Sequence, residues 1–182
     1  EAAQLGNLAG AICVGKFGAA TVEPLELLRS LHHEYGNHKL RTADQLGQEL
    51  AALRAAGKRI AFTNGFFDLL HLGHLKFLEL ARRSGDVLIV AINSDRSVRA
   101  LKGPPRPVLG QEERAALLGS LNAVDYVVIF DEATPERLLS VLKPDVLVKG
   151  RNLKSEEIVG HTIVEGYGGR IESLPTLGEH TT

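Results

Sequence analysis

Phe62-Thr63-Asn64-Gly65-Phe66-Phe67-Asp68-Leu69-Leu70-His71-Leu72-Gly73-His74 is the stretch on which the reading of this chain turns. Arg59 to Thr63 forms a short apolar run of the kind that makes a buried strand, and Asn64-Gly65 is expected to break it. From Leu72 the spacing predicts a helix, with Leu72, Leu75, Leu78 and Leu80 on its apolar face and Lys76 and Glu79 outside. A strand that turns on a glycine into a helix aims backbone N–H groups and the positive end of the helix dipole at one point. Such a point binds phosphate. His71 and His74 are three residues apart and share one face of the first turn, while Gly73 between them leaves room for a ligand at the backbone.

Two imidazoles at such a point suit the stabilisation of charge on a phosphate in a transition state, as donors or as cations. A His-x-x-His pair also serves metals, but no third ligand stands nearby in the expected pattern, and Asp68 is better placed for phosphate or magnesium chemistry. Capping or packing is the other common use of such histidines. The glycine turn, Asp68 and the preceding strand together favour phosphate.

The rest of the chain continues the alternation. Thr42-Ala43-Asp44-Gln45 matches a capping box and starts a helix to about Ala56, ending at Gly57. Asp86 to Asn93 is a near-continuous apolar run with a polar carboxyl end, as in a central parallel strand. Arg96, Arg99, Lys102 and Arg106 follow it directly, where a basic segment is placed to clamp phosphates rather than merely to face solvent. Gln111 to Leu121 is predicted helical and carries Arg114; Val124 to Phe130 is the third strand; Thr134 is expected to cap the next helix, with Pro135 at its first position. Asp145 to Lys149 is the fourth strand, ending in another basic residue beside a glycine, Lys149-Gly150. Ser155 to Glu165 is expected helical and Gly169 to Leu174 a last short strand. Strands alternating with crossover helices predict an α/β, Rossmann-like, doubly wound parallel sheet, with ligands at the carboxyl ends of its strands.

Composition bounds the alternatives. The 182 residues, 44% hydrophobic, suffice for one domain with a sizeable core plus an appendage. A net charge of −1 gives no global pull towards nucleic acid or membranes, so any anion site must come from local clustering. The single cysteine, Cys13, excludes an internal disulfide framework and fits a cytoplasmic protein. No apolar stretch has transmembrane length and no secretion signal is visible. The absence of methionine anywhere predicts a processed or excised piece of a longer chain. Three histidines in residues 32–41 (HHEYGNHKLR) sit in a polar setting that reads as a linker, where such histidines are seldom liganded.

The string TNGFFDLLHLGH resembles the His-x-Gly-His signature of the nucleotidyltransferase superfamily, specifically its cytidylyltransferase-like branch. From about Leu40 onward FTNGFFDLLHLGH, AINSDRSVRALKGPPRPV, Glu113-Arg114, KPDVLVKG, EEIVG and EGYGGRIESLP resemble the adenylyltransferase half of the bifunctional heptose-7-phosphate kinase/heptose-1-phosphate adenylyltransferases. The opening AxLGNLAGAIxVGKFGAATV resembles the last helix and closing turn of ribokinase-type sugar kinases, as such a fusion would place it. The kinase's catalytic aspartate and anion-hole glycines lie upstream of that tail, so kinase activity is not expected. The resemblance divides the chain into a kinase remnant as a helical appendage (1–35), a linker with a lead-in helix (36–57) and a nucleotidyltransferase domain (58–182).

The resemblance implies transfer of AMP from ATP to a sugar 1-phosphate, D-glycero-β-D-manno-heptose 1-phosphate, giving ADP-heptose and pyrophosphate without a covalent intermediate. It implies His71, His74 and Lys102 as catalytic groups. It implies Thr63, Asn64, Gly65, Phe66, Phe67, Asp68, Gly73, Asn93, Asp95, Lys149, Gly150, Thr181 and Thr182 around the nucleotide, and Arg99, Arg106 and Arg114 on substrate phosphate. Magnesium is expected with ATP, held largely by phosphates and water, with no protein-built metal site. Two departures from the family pattern bear on the substrate: Gly150-Arg151-Asn152-Leu153 stands where G-G-D-Y is usual, and Gly178-Glu179-His180-Thr181-Thr182 where G-x-S-T-T is usual. Phe66, where many members carry cysteine, bears on local packing more than on activity. The alternatives are a related cytidylyltransferase or adenylyltransferase for another phosphorylated substrate, or a catalytically weak nucleotide-binding module. The apolar Leu5, Leu8 and Ile12 call for a packing partner, such as a second copy of the chain.

Overall fold

The computed structural model describes residues 38–150 and 157–175, together with positions 9, 21 and 22. The kinase-like tail, Cys13, the histidines of the linker before His38, Arg151 and Asn152, and Thr181 and Thr182 lie outside those residues.

Five parallel strands, β1 (Ile60–Gly65), β2 (Val87–Asn93), β3 (Tyr126–Phe130), β4 (Val146–Gly150) and β5 (Arg170–Leu174), form one sheet in the order β3-β2-β1-β4-β5. Among the described residues these helices accompany them: α1 (Ala43–Ala55), α2 (Leu72–Arg82), α3 (Asp95–Lys102), α4 (Gln111–Gly119), α5 (Glu136–Leu142) and α6 (His161–Gly166). On one face Leu46 and Leu50 of α1, Leu138, Leu139 and Leu142 of α5 and Val164 of α6 pack on Ile60, Phe62, Ile89 and Leu147. On the other, Phe77, Leu78 and Ala81 of α2 and Ala115 and Leu118 of α4 pack on Ala61, Leu88, Val90 and Val146. Covering both faces is what makes β2 apolar at nearly every position, and all seven of its residues are buried. The doubly wound α/β architecture is the one the alternating pattern predicts.

Several boundaries move for tertiary reasons. β1 does not break at Asn64-Gly65, because those residues pair with Ala91 and Ile92 of β2, and a neighbouring ladder outweighs the local turn preference. The buried stripe of α2 is Phe77, Leu78 and Ala81, while Leu72 is 65% exposed. The first turn of α2 stands at the carboxyl edge, with no strand beneath it. Of the helix expected over Ser155 to Glu165, positions 155 and 156 lie outside the described residues, and the α-helix α6 starts at His161, after Gly160 adopts φ +91°. A side chain at Gly160 would lie 2.3 Å from Leu139 Cδ1. Pro135, not Thr134, is the cap position of α5; the Thr134 hydroxyl instead donates to Glu136. The capping box at Thr42 forms as expected, with Thr42 Oγ1 accepting from Gln45 N and Gln45 Oε1 from Thr42 N.

The stretch read as linker and lead-in contributes to the sheet and the core. Arg41 N donates to Val127 O and Val127 N donates to Lys39 O, both at 2.9 Å, so the chain enters beside β3 before turning into α1.

Candidate active site

His71 is the N-cap of α2, in extended conformation, and its Nδ1 accepts from Gly73 N at 3.1 Å. The His71 carbonyl takes the amides of His74 and Leu75. The helix start is therefore capped by its own imidazole, and the Gly73 amide expected to face phosphate is already used. That cap has a chemical consequence. With Nδ1 accepting, a neutral His71 carries its proton on Nε2, which is buried and without a partner. The His74 ring stacks on it, with centroids 3.9 Å apart and 29° between planes, and Phe67 leans on His74 at 5.3 Å.

Burial is the main reason that the His74 imidazole is held below its ordinary value; the neighbouring His71 adds to this, and the Leu69 carbonyl opposes it. His74 Nδ1 and Thr63 Oγ1, like His71 Nε2, are buried polar atoms with no protein partner. Such orphans are rare in finished interiors. Three of them at the carboxyl end of β1 and the adjoining turn mark a polar ligand site. Phe67 sits at φ 48°, and a Cβ on Gly65 would come within 3.1 Å of its ring, so any larger residue there obliges the ring to shift by a few tenths of an ångström. The Phe67 ring is 5% exposed and acts as a wall behind His74 rather than as a surface for a base.

Asp68 and Arg114 form the frame on the basic side. Asp68, 3% exposed, takes Arg106 Nη1 at 2.6 Å and the amides of Val108 and Leu109 at 2.7 and 3.0 Å. Burial raises its carboxyl, but the two amides and the Arg106 guanidinium outweigh that and hold it below the usual carboxylate range. Both oxygens are committed, so Asp68 ties the basic loop to the signature turn. Arg114 was expected on substrate phosphate, and the structure corrects this. It is fully buried, donating to Leu109 O at 3.0 Å, Phe66 O at 2.7 Å and Asp95 Oδ1 at 2.7 Å. The signal was present in the sequence, because Arg114 shares the buried face of α4 with Ala115 and Leu118.

Asn93 is likewise turned inward, its amide donating to Ser97 Oγ and Glu132 O. Asp95 serves Arg114 through one oxygen, and its backbone amide donates to Gln111 Oε1. Arg99 and Lys102 are exposed, with Lys102 Nζ 5.2 Å from the centre of the Phe66 ring. Lys149, beside Gly150 at the end of β4, donates to Asn64 Oδ1, and burial pushes its ammonium down to about 8. Among the described residues no three His, Cys, Asp or Glu side chains converge as a metal cage.

Comparison with known proteins agrees with this geometry. The profile of the cytidylyltransferase-like family matches residues 62–168. "Bifunctional protein HldE" of Geobacter sulfurreducens is 50% identical over 184 residues, and its namesakes in Geobacter metallireducens and Hahella chejuensis are 51% and 49% identical. Each alignment covers 100% of this chain and 38% of the relative, so the chain spans well under half the length of these proteins. Among solved structures, the lipopolysaccharide core biosynthesis protein of Thermoplasma volcanium superposes with a TM-score of 0.56 at 25% identity, over 68% of this chain and 100% of that one. Pantoate-beta-alanine ligase of Francisella tularensis shares the fold, with a TM-score of 0.51 at 16% identity over 77% of this chain and 67% of that one.

Proposed function

This chain belongs to the cytidylyltransferase-like family, and from that premise we propose that it transfers AMP from ATP to D-glycero-β-D-manno-heptose 1-phosphate, releasing ADP-heptose and pyrophosphate. The observation that carries the reading is the stacked His71–His74 pair, in which His71 Nε2 and His74 Nδ1 are buried without a partner in the protein. A sugar 1-phosphate oxygen attacks the α-phosphorus of ATP, and the bond from that phosphorus to the α,β-bridging oxygen breaks. The nucleophile is already an anion, so no general base is needed, and the protein's work is positioning and charge stabilisation.

His71 Nε2–H donates to a phosphate oxygen. His74, neutral at rest, gains affinity for a proton as negative charge gathers beside it. Thr63 Oγ1 supplies a further polar contact near the α-phosphate. Arg106, fixed by Asp68, and the exposed Arg99 and Lys102 receive the sugar phosphate or the departing pyrophosphate. Thr181 and Thr182, outside the described residues, are the hydroxyls that the family resemblance assigns to the phosphates. Magnesium enters as part of the MgATP substrate, held by phosphates and water, because Asp68 and one oxygen of Asp95 are committed to arginines.

The identity to the bifunctional relatives supports the heptose substrate over others and a place within a longer kinase-fused chain. A cytoplasmic enzyme fits these soluble substrates, and among the described residues no helix is long and apolar enough to cross a membrane.

Pyrophosphate release tests the proposal, with MgATP and the heptose phosphate, beside CTP in place of ATP and beside His74→Ala. Turnover requiring ATP, heptose phosphate and His74 is expected. Turnover with CTP instead assigns the chain to the cytidylyl branch, and binding of ATP without turnover on any sugar phosphate makes it a nucleotide-binding module.

A further inference from the structure

The strand order reverses between β1 and β4, since β1 continues to β2 and β3 on one side and β4 to β5 on the other. Open parallel sheets hold ligands in the crevice outside the carboxyl ends at that reversal. β1 pairs with β2 over six residues, as far as Gly65 opposite Ile92, but its pairing with β4 ends at Phe62 opposite Leu147. Beyond that point a side-chain bond spans the opening, in which the Lys149 ammonium donates to Asn64 Oδ1. By alternation Asn64 and Lys149 project to the same face as Phe62 and Leu147, and Thr63 to the face covered by α2.

The bond is electrically incomplete. Arg41, Arg82, Arg96, Arg106, Arg114, Arg137 and Arg170 each have a carboxylate partner, whereas among the described residues none pairs with Lys149. From β1 it meets the neutral Asn64, and the residue opposite it on β5 is the uncharged Ser173. Burial alone accounts for its depressed proton affinity, with no described charge acting on it from α1, α5 or α6. Lys149 is half-buried, and a cation so placed that faces only an amide is stabilised most by an incoming anion.

We propose that Lys149 is the anion receptor of the crevice between β1 and β4, exchanging its bond to Asn64 for a phosphate oxygen of the bound nucleotide. The exchange rests on the nucleotide reading given above. One Nζ–H···Oδ1 contact breaks and one Nζ–H···O–P contact forms, and the freed Asn64 amide is available to the same ligand. His71 and His74 stand on the other side of β1, so the phosphates are gripped across the strand. Lys149 is a full ammonium in the complex and only partly so in the free protein at slightly alkaline pH. Nucleotide binding there draws a proton from solvent.

Calorimetric titration of the full chain with ATP, and separately with inorganic tripolyphosphate, at pH 8 in two buffers of different ionisation enthalpy reads that proton directly. About half a proton is taken up per ligand when a site titrating near 8 becomes fully charged. In Lys149→Met the uptake disappears and affinity falls about ten- to a hundredfold, while Tm does not fall, because an apolar chain of similar size replaces a half-buried charge with no carboxylate partner. Lys149→Arg, charged at every pH used, binds equally from pH 7 to 9, whereas the wild-type chain weakens over that range; this arm decides the matter should the Met variant not fold. A Met variant that binds both ligands like the wild type, uptake that persists without Lys149, or a wild-type chain that binds neither ligand overturns the receptor. Lys149-dependent binding without transfer to a sugar phosphate keeps the receptor and removes the proposed reaction.

Discussion

Replacing Arg114 by methionine separates a framing role from a substrate contact. The variant keeps most of the buried volume but removes three donors at once, leaving Phe66 O and Leu109 O without their partner and Asp95 without its counter-ion. Each stranded carbonyl costs about 1–3 kcal/mol. The side chain of Asp95 is 25% exposed and rehydrates in part, adding only about 1 kcal/mol. Loss of the guanidinium's own desolvation offsets some of this. The net expectation is about 3–5 kcal/mol, a Tm lower by about 10 °C in a chain of this size. The conservative variant Arg114→Lys does not restore stability, because one ammonium cannot reach three acceptors placed for a fixed fork. Urea and thermal unfolding give the stability, and steady-state kinetics on the surviving folded fraction give KM. A methionine variant of wild-type stability whose KM for the sugar phosphate rises sharply would refute the reasoning and put Arg114 back on the substrate.

Other outcomes follow from the same geometry. His74→Ala lowers kcat by about 10²–10³-fold with little change in Tm, as expected for one lost transition-state contact, and a pyrophosphate-release assay reads it. Because the His74 ring is held below its ordinary value, the unfolded chain binds its proton first. Wild-type stability therefore falls as pH drops below about 6.5, a slope that pH-dependent urea melts should find reduced in His74→Gln. Asp68→Asn releases Arg106 and the 108–109 amides, with KM for the sugar phosphate rising and stability falling by about 2–3 kcal/mol. As a carboxylate with a lowered folded value, Asp68 contributes stability that is present above about pH 4 and lost as pH falls through that folded value, so the variant's acid unfolding limb is shallower. Gly160→Ala meets Leu139 and forces a side chain into positive φ, and calorimetry should show about 2–3 kcal/mol lost with the active-site chemistry intact.

The histidine pair was legible because a helix start fixes which residues share its first turn, and the buried run of β2 because parallel strands covered on both faces need apolar residues throughout. Lys149 was legible as a basic residue at a strand end. Less could be read where a side chain's partner comes from a distant part of the chain. Asp68 and Arg106 are 38 residues apart, and Asp68 looks from its neighbours like a group free for magnesium. Only the fold brings the loop amides that occupy it. Gly73 likewise reads as an open amide until the His71 ring turns back to cap it.

By itself the sequence determined the alternation of strand and helix, the carboxyl edge as the place of chemistry and the residues of the signature, since periodicity, glycine turns and spacing along one helix are local properties. The tertiary structure decided which charges are free and which are spent. Arg114 and Asp68 are consumed in the frame, while His71, His74 and Thr63 keep a polar atom without a protein partner and Lys149 meets only an amide oxygen. The physical reason is that a hydrogen bond or ion pair is a property of two groups and their burial, and for these residues the second group arrives only when the sheet assembles.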